Sequence, residues 1–295
     1  MKTTSPNRRQ FVKQAGITLA ATSLMGPLAC QAQEDMTIQQ AIDKILAEIP
    51  GDRNPQTVDT VKSSDASQKL TGIVSTCMAT VDVILEAIEK KANLIITHEP
   101  TFFNHRDEVD WLENDPVYLY KRNLLEENKI VVWRFHDYWH QDEPDGILQG
   151  FINAMAWQGF LNSKIENSVI IPQMTMAELA NLMKHKLNLV RTFYVGDGDL
   201  KCTHVGLLPG SWGREKHISL LRKDIEVLVI GEANEWETIE YVRDAHLAGI
   251  KKGLIVLGHI MSEEPGMFYL IDWLKFVVPE VPAYHVAAKD PFVPV

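Results

Sequence analysis

Three short segments place imidazole and carboxylate side chains directly after runs of apolar residues. The first is Thr97-His98-Glu99-Pro100, after Leu94-Ile95-Ile96. The second is Phe135-His136-Asp137-Tyr138-Trp139-His140-Gln141-Asp142, after the apolar stretch from Ile130. The third is Gly258-His259-Ile260-Met261-Ser262-Glu263-Glu264, after Leu254-Ile255-Val256-Leu257. Imidazole nitrogen and carboxylate oxygen together suit zinc, iron or manganese. A lone histidine after a strand is most often a structural hydrogen-bonder; recurrence in three segments is what points to metal.

Several other chemistries are excluded by spacing. His98-Glu99 opens like a zincin helix, but Phe102 stands where the second histidine belongs and Pro100 follows at once. Gly196 and Gly198 have Lys201 at the third glycine position of a dinucleotide loop. There is no phosphate-binding P-loop and no nucleophile elbow. The cysteines Cys30, Cys77 and Cys202 form no CxxC pair, which excludes a cysteine-rich zinc site and leaves a Cys77–Cys202 disulfide open.

The ligand-rich segments need strands to deliver them. Thr37 caps a helical pattern over Ile38 to Leu46, and residues 50–70 read as loop or irregular strand. Strands are expected at Leu70–Ser75, Leu94–Ile96 and Ile130–Phe135, alternating with helices at Val81–Lys91, Pro116–Asn128 and Ile147–Trp157. The second half reads the same way. Strands are expected at Val169–Ile171, Val205–Leu208, Val227–Ile230 and Leu254–Leu257. Helices are expected at Met176–Leu187, Lys216–Arg222, Glu235–Ala248 and from about Pro265 to Phe276. Short apolar strands alternating with helices predict an α/β fold with mixed, mostly parallel sheets. The expected organisation is two related α/β lobes, residues 36–160 and 161–295, forming one compact unit.

Lys90 to His98 aligns without gaps onto Lys251 to His259. Each reads as a helix end, a short strand and a histidine. Either βα units simply resemble one another, or two pseudo-symmetric lobes each deliver a histidine from the C-terminal end of a strand, where open parallel sheets place ligands.

The 295 residues are 45% hydrophobic, enough for a sizeable core. The N-terminal text Asn7-Arg8-Arg9-Gln10-Phe11-Val12-Lys13, followed by an apolar run from Ala15 to Leu28, resembles a bacterial twin-arginine signal. Residues 1–32 are therefore expected to direct export to the periplasm or the outer side of the membrane. Cleavage after Ala32 and lipidation of Cys30 both remain open, and a lipid on Cys30 would be the membrane contact. Losing residues 1–32 removes four cations and no acid, taking the formal charge from −10 to −14. Such an acidic chain is a poor partner for nucleic acid.

The same segments resemble the NGG-one-interacting-factor-three-like family, a family of dinuclear-metal-centre hexamers whose members carry the label GTP cyclohydrolase type 2 homologue. Its Thr-His-His-Pro strand end and following aromatic pair match Thr97-His98-Glu99-Pro100-Thr101-Phe102-Phe103. Its His-Thr-Asn-Leu-Asp strand end matches His136-Asp137-Tyr138-Trp139-His140 by position. Its Gly-His with a glutamate four residues on matches Gly258-His259 and Glu263. The resemblance covers most of residues 36–295. It implies two divalent ions (zinc, iron or manganese) on His98, Glu99, His140, His259 and Glu263, a two-lobed α/β fold and a homo-hexamer. Glu99 replaces a histidine and His140 an aspartate, so the set keeps three histidines and two carboxylates and its charge is unchanged.

The reading is a metal-dependent hydrolase of an unidentified small molecule. His136 is placed beside the metals as general acid or base, or as an orienter of substrate. Two alternatives stand beside it: a non-catalytic metal-binding hexameric scaffold, and a single-metal hydrolase with Glu99 as general base. Glu264 is expected as a solvated helix-start residue. His105, His185, His204, His217, His246 and His285 are expected as surface or core residues.

Overall fold

The computed structural model describes residues 36–294. The twin-arginine-like segment, Cys30 and Ala32 lie outside the described residues. Helix α1 (Ile38–Glu48) begins at Thr37, whose hydroxyl accepts from Gln40 N while the Gln40 side chain accepts from Thr37 N. This reciprocal cap satisfies two donors that a helix start leaves free.

Two sheets follow in chain order. The first has strands β1 (Ile73–Thr76), β2 (Leu94–Thr97), β3 (Val131–Arg134) and β9 (Ala283–His285), in the spatial order β3-β2-β1-β9 and parallel throughout. Helices α2 (Val81–Glu89) and α3 (Pro116–Glu127) connect β1 to β2 and β2 to β3. Every residue of β1, β2 and β3 is buried. That is why their sequences are continuous rather than alternating apolar runs.

The second sheet comprises β4 (Ser168–Thr175), β5 (Phe193–Val195), β6 (Lys201–Leu208), β7 (Val227–Ile230) and β8 (Gly253–Val256), ordered β4-β6-β7-β8-β5. Its three central strands are parallel, and β4 and β5 are antiparallel edges. Helices α6 (Met176–Lys186), α7 (Gly213–Leu221) and α8 (Glu240–Leu247) belong to this half, the last preceded by a π-turn at Glu235–Ile239. The fold is thus mixed α/β with parallel-rich sheets. β9 lies with the strands of residues 36–160, so the chain's last strand completes the first sheet.

Between the sheets run α4 (Asp137–Gln141), α5 (Gly146–Met155) and the long α9 (His259–Val277). α5 and α9 touch through glycines. A Cβ on Gly150 would meet the Pro265 carbonyl at 2.3 Å, and one on Gly266 would meet Ile147 Cα at 2.6 Å. α9 also packs on β1 and β9, which ties the two halves together.

Some expectations are corrected. The last long helix begins at His259, not near Pro265, and it runs through Pro265. A proline here removes one backbone donor, and the packing against α5 holds the helix together. Glu264 is buried rather than solvated, because its carboxylate accepts from Cys77 N at 3.1 Å and Ala288 N at 2.9 Å. Cys77 and Cys202 are free buried thiols in separate core clusters, so the Cys77–Cys202 pairing is not made. Among the described residues no helix is long and apolar enough to cross a membrane.

Candidate metal centre

The C-terminal ends of strands from both sheets converge. His98 and Glu99 follow β2, His136 follows β3, and His259 follows β8. Parallel strands leave ligand sites at this edge. Glu263 lies one helical turn after His259 on α9, and His140 one turn after His136. Each pair therefore points from one helix face.

His98 is wholly buried. Its Nδ1 lies 3.2 Å from the Phe135 carbonyl, so Nδ1 carries the proton and donates it. Its Nε2 is buried and has no hydrogen-bond partner. A buried unpaired imidazole nitrogen is costly unless it binds a ligand such as a metal ion. The other three histidines are held in the same manner. Nδ1 of His136 meets Asp137 at 2.9 Å, Nδ1 of His140 meets Asp145 at 2.9 Å, and Nδ1 of His259 meets Glu232 at 3.3 Å. Fixing Nδ1 on a carbonyl or carboxylate leaves Nε2 for a metal, as outer partners do around metal-bound histidines.

The Nε2 side is where the carboxylates lie. His259 Nε2 is 3.2 Å from Glu263 Oε2 and 3.4 Å from Glu99 Oε1. His136 Nε2 is 3.7 Å from Glu99 Oε1, and His98 Nε2 is 3.8 Å from Glu263 Oε2. Two donor groups, His98-His136-His140 and His98-Glu99-Glu263, each bring their ligand atoms within 4.8 Å of one another. The residues present fit a metal ion.

The electrostatics agree. Burial holds the His98 imidazole well below its usual pKa, and His136 and His140 beside it add to the effect, so it stays neutral. Burial likewise lowers His136. Burial also opposes charge on His259, but hydrogen bonds to Glu232, Glu263 and Glu99 outweigh it and push its pKa up to about 12. Burial raises the Glu263 carboxyl. Burial would raise Glu99 too, but the hydrogen bond to His259 prevails and lowers it. A cation is therefore favoured among these carboxylates, and a proton on His259 supplies it when no metal does.

The surroundings set the geometry. Asp59 reaches in from residues 50–70 and accepts the backbone N–H groups of His136, Asp137 and Tyr138 at 2.8, 3.0 and 2.9 Å. It thus caps α4 from a remote loop. Asp145 serves twice, holding His140 through one oxygen and capping α5 through the other. Arg134 is fully buried, donates to the His98 carbonyl at 3.0 Å and faces Glu99 Oε2 at 3.8 Å. Gly210 has φ +77°, and a Cβ there would fall 1.8 Å from Glu263 Oε1. A cavity of about 750 Å³ opens on Glu99 and His259.

The family model for Duf34/NIF3 (NGG1p interacting factor 3) matches residues 34–290. The chain belongs to the NIF3 family. It is similar to a Clostridium acetobutylicum protein named GTP cyclohydrolase 1 type 2 homolog, at 26% identity over 69% of this chain and 76% of that one. Among solved structures it resembles Staphylococcus aureus protein SA1388, with TM-score 0.71 and 19% identity over 89% of this chain and 100% of that one. It also resembles a Bacillus cereus protein related to NIF3, with TM-score 0.69 and 14% identity over 88% of this chain and 99% of that one. At these identities the structures show a shared NIF3 fold.

In this NIF3 chain the five residues expected on metal, His98, Glu99, His140, His259 and Glu263, come together. His136, expected beside them, has its ring stacked on His98 at 4.5 Å and edge-on to His140 at 5.1 Å. Sequence reasoning missed Asp59, Arg134, Asp145, Gly210 and Glu232. Only Asp145, directly before an apolar helical run, carried a local signal, that of an N-cap.

Proposed function

We propose that this NIF3 protein holds two divalent ions on its histidine–glutamate cluster and is a metal-dependent hydrolase. The observation that carries the reading is the uniform anchoring of four Nδ1 atoms, which leaves Nε2 of His98, His136 and His259 facing Glu99 and Glu263, and groups His140 with His98 and His136, at the edge of an open cavity. When bound, such ions lower the pKa of a coordinated water and polarise an acyl or phosphoryl oxygen. His98, Glu99, His140, His259 and Glu263 would hold them.

Glu99 is better suited to be a ligand than a free general base. One oxygen faces His136 and His259, and the other faces the Arg134 guanidinium. The cavity favours catalysis over a purely structural metal, because a catalytic ion needs an accessible position. Phe193, Val256 and Met261 offer an apolar wall to the substrate, while Glu232, Glu235 and Glu240 make the rest acidic. Apart from His259, the cation among the described lining residues is Arg191, and Asp290 holds its guanidinium at 3.0 and 3.4 Å. Polyphosphates are usually gripped by free arginine or lysine. This argues against GTP as substrate, despite the relative's name, and for a small neutral or cationic molecule.

Residues 1–32 support export of the chain, and the family resemblance supports a homo-hexamer. The test is elemental analysis of tag-free protein beside the His98→Ala, His140→Ala and His259→Ala variants, followed by a hydrolase screen of the loaded protein. About two ions per chain, reduced in each variant, are expected. Absence of bound metal after reconstitution would overturn the proposal.

A further inference from the structure

The donors are not distributed evenly, and this deepens the two-ion reading on which the present inference rests. His98, His136 and His140 bring three imidazole rings together, with centroids 4.5 to 5.1 Å apart. Their ligand atoms lie within 4.8 Å of one another. His136 is no bystander in this group. Its Nδ1 is tied to Asp137, so only Nε2 is free, and that atom faces Glu99 Oε1.

The other donors form a second group around His259. Its Nε2 lies 3.2 Å from Glu263 Oε2 and 3.4 Å from Glu99 Oε1. Ligands about 2.0–2.1 Å from a tetrahedral ion sit about 3.3 Å from one another. These spacings therefore suit shared coordination of one ion. Glu99 Oε1 stands between the groups, 3.7 Å from His136 Nε2 and 3.4 Å from His259 Nε2. His98 Nε2 also reaches toward Glu263 at 3.8 Å. It has one lone pair to give, and its ring contacts with both His136 and His140 assign it to the imidazole group.

We infer that the centre is two unequal sites: an all-imidazole site of His98, His136 and His140, and a carboxylate-rich site of Glu99, His259 and Glu263. His136 is then a sixth metal ligand rather than a general acid or base. Three neutral imidazoles suit zinc, copper, iron or nickel and serve manganese poorly, whereas carboxylates accept manganese readily. The two sites should therefore differ in which metals they take.

The experiment uses the tag-free chain stripped by chelation and two probes, zinc alone and manganese alone. Zinc is followed by competition with a chromophoric chelator, and manganese by loss of the free-ion paramagnetic signal. The parent is expected to bind two equivalents of zinc but one of manganese. His136→Gln should weaken one zinc step by at least about 100-fold, the upper end of what loss of an outer partner costs. It should leave the other zinc step and the manganese equivalent intact. His140→Gln should remove the same zinc step, and Glu263→Gln should remove manganese and keep one zinc. His136→Gln retaining both zinc steps would overturn the inference, and combined with lost hydrolysis would return His136 to an acid–base role. Two equivalents of manganese in the parent would also overturn it while leaving the dinuclear proposal standing. Failure of the parent to bind zinc at all would overturn both.

Discussion

Replacing Asp59 by alanine tests whether the loop at residues 50–70 tunes the metal centre or merely packs against it. Asp59 is 7% exposed and is the shared acceptor for three successive N–H groups at the start of α4. Three charge-assisted hydrogen bonds at about 1.5 kcal/mol each give a gross contribution near 5 kcal/mol. Burial opposes this, raising the Asp59 pKa from 3.8 to about 6 against those same N–H groups. That shift costs the charged form about 3 kcal/mol. That shift already contains the three hydrogen bonds, so the loss in Asp59→Ala at neutral pH is that of buried donors left without an acceptor, about 1–3 kcal/mol, with some recovery if water reaches them. The sign of the pH dependence follows from the raised pKa. Between the two pKa values the folded state holds the proton more tightly, so this group's contribution is greatest at low pH and falls as pH rises through about 6. The gap between parent and variant should therefore widen by about 1.4 kcal/mol from pH 7 to pH 5. Urea melts of the metal-free protein read both quantities. Because α4 carries His140 and follows directly on His136, zinc affinity should also fall about 10- to 100-fold. A variant that loses stability but binds zinc within threefold of the parent would refute the positioning argument. A gap that narrows toward pH 5 would refute the electrostatic one.

Other substitutions probe the remaining contacts. Gly210→Ala places a methyl 1.8 Å from Glu263 Oε1 at φ +77°; backbone strain of about 1–3 kcal/mol and reduced metal binding are expected, and metal titration showing full affinity would contradict the close approach. Glu232→Gln weakens the carboxylate hold on His259 Nδ1; zinc affinity should drop about tenfold or more, and an unchanged chelator competition curve would remove Glu232 from the site. Gly150→Val drives a side chain into the Pro265 carbonyl; a loss of about 3 kcal/mol or more should appear in denaturant melts, and near-parent stability would mean that α5 and α9 separate easily. Lys121 is buried with its ammonium on the Thr101 carbonyl at 2.6 Å, and burial lowers its pKa from 10.5 to about 8. The unfolded chain then binds the extra proton between those values, so stability should rise with pH there by at most about 3 kcal/mol. Lys121→Met should lack this rise, and identical slopes in the two proteins would refute it.

What could be read from sequence divides along a physical line. The segments that carry His98, His136 and His259 were legible because buried parallel strands announce themselves as apolar runs and deliver ligands at their C-terminal ends, while the choice of Glu99, His140 and Glu263 within them came from the family resemblance. The helix pairing of His259 with Glu263 was less visible, since Pro265 suggests a helix start while the chain actually coils from His259. The same misplacement left Glu264 in solvent. Once the helix includes residue 263, one more residue turns the side chain by about 100°, away from the metal centre and toward Cys77 and Ala288. Strands β5 and β9 have three residues each, too few to show a period.

The outer partners were illegible for a different reason. Asp59 acts across 77 to 79 residues, Arg134 across 36, and Glu232 on a histidine from another strand end. No local pattern encodes such pairings; they exist only once the sheets bring their edges together. Yet these partners give the site its character. With Nδ1 free, each imidazole could rotate or take either tautomer, and four histidines would be an ordinary polar cluster. With Nδ1 committed on Phe135, Asp137, Asp145 and Glu232, the rings have one nitrogen left to offer. The ligand types alone suggest metal binding, but the anchors decide which atoms can coordinate and therefore whether His136 belongs on an ion or beside it.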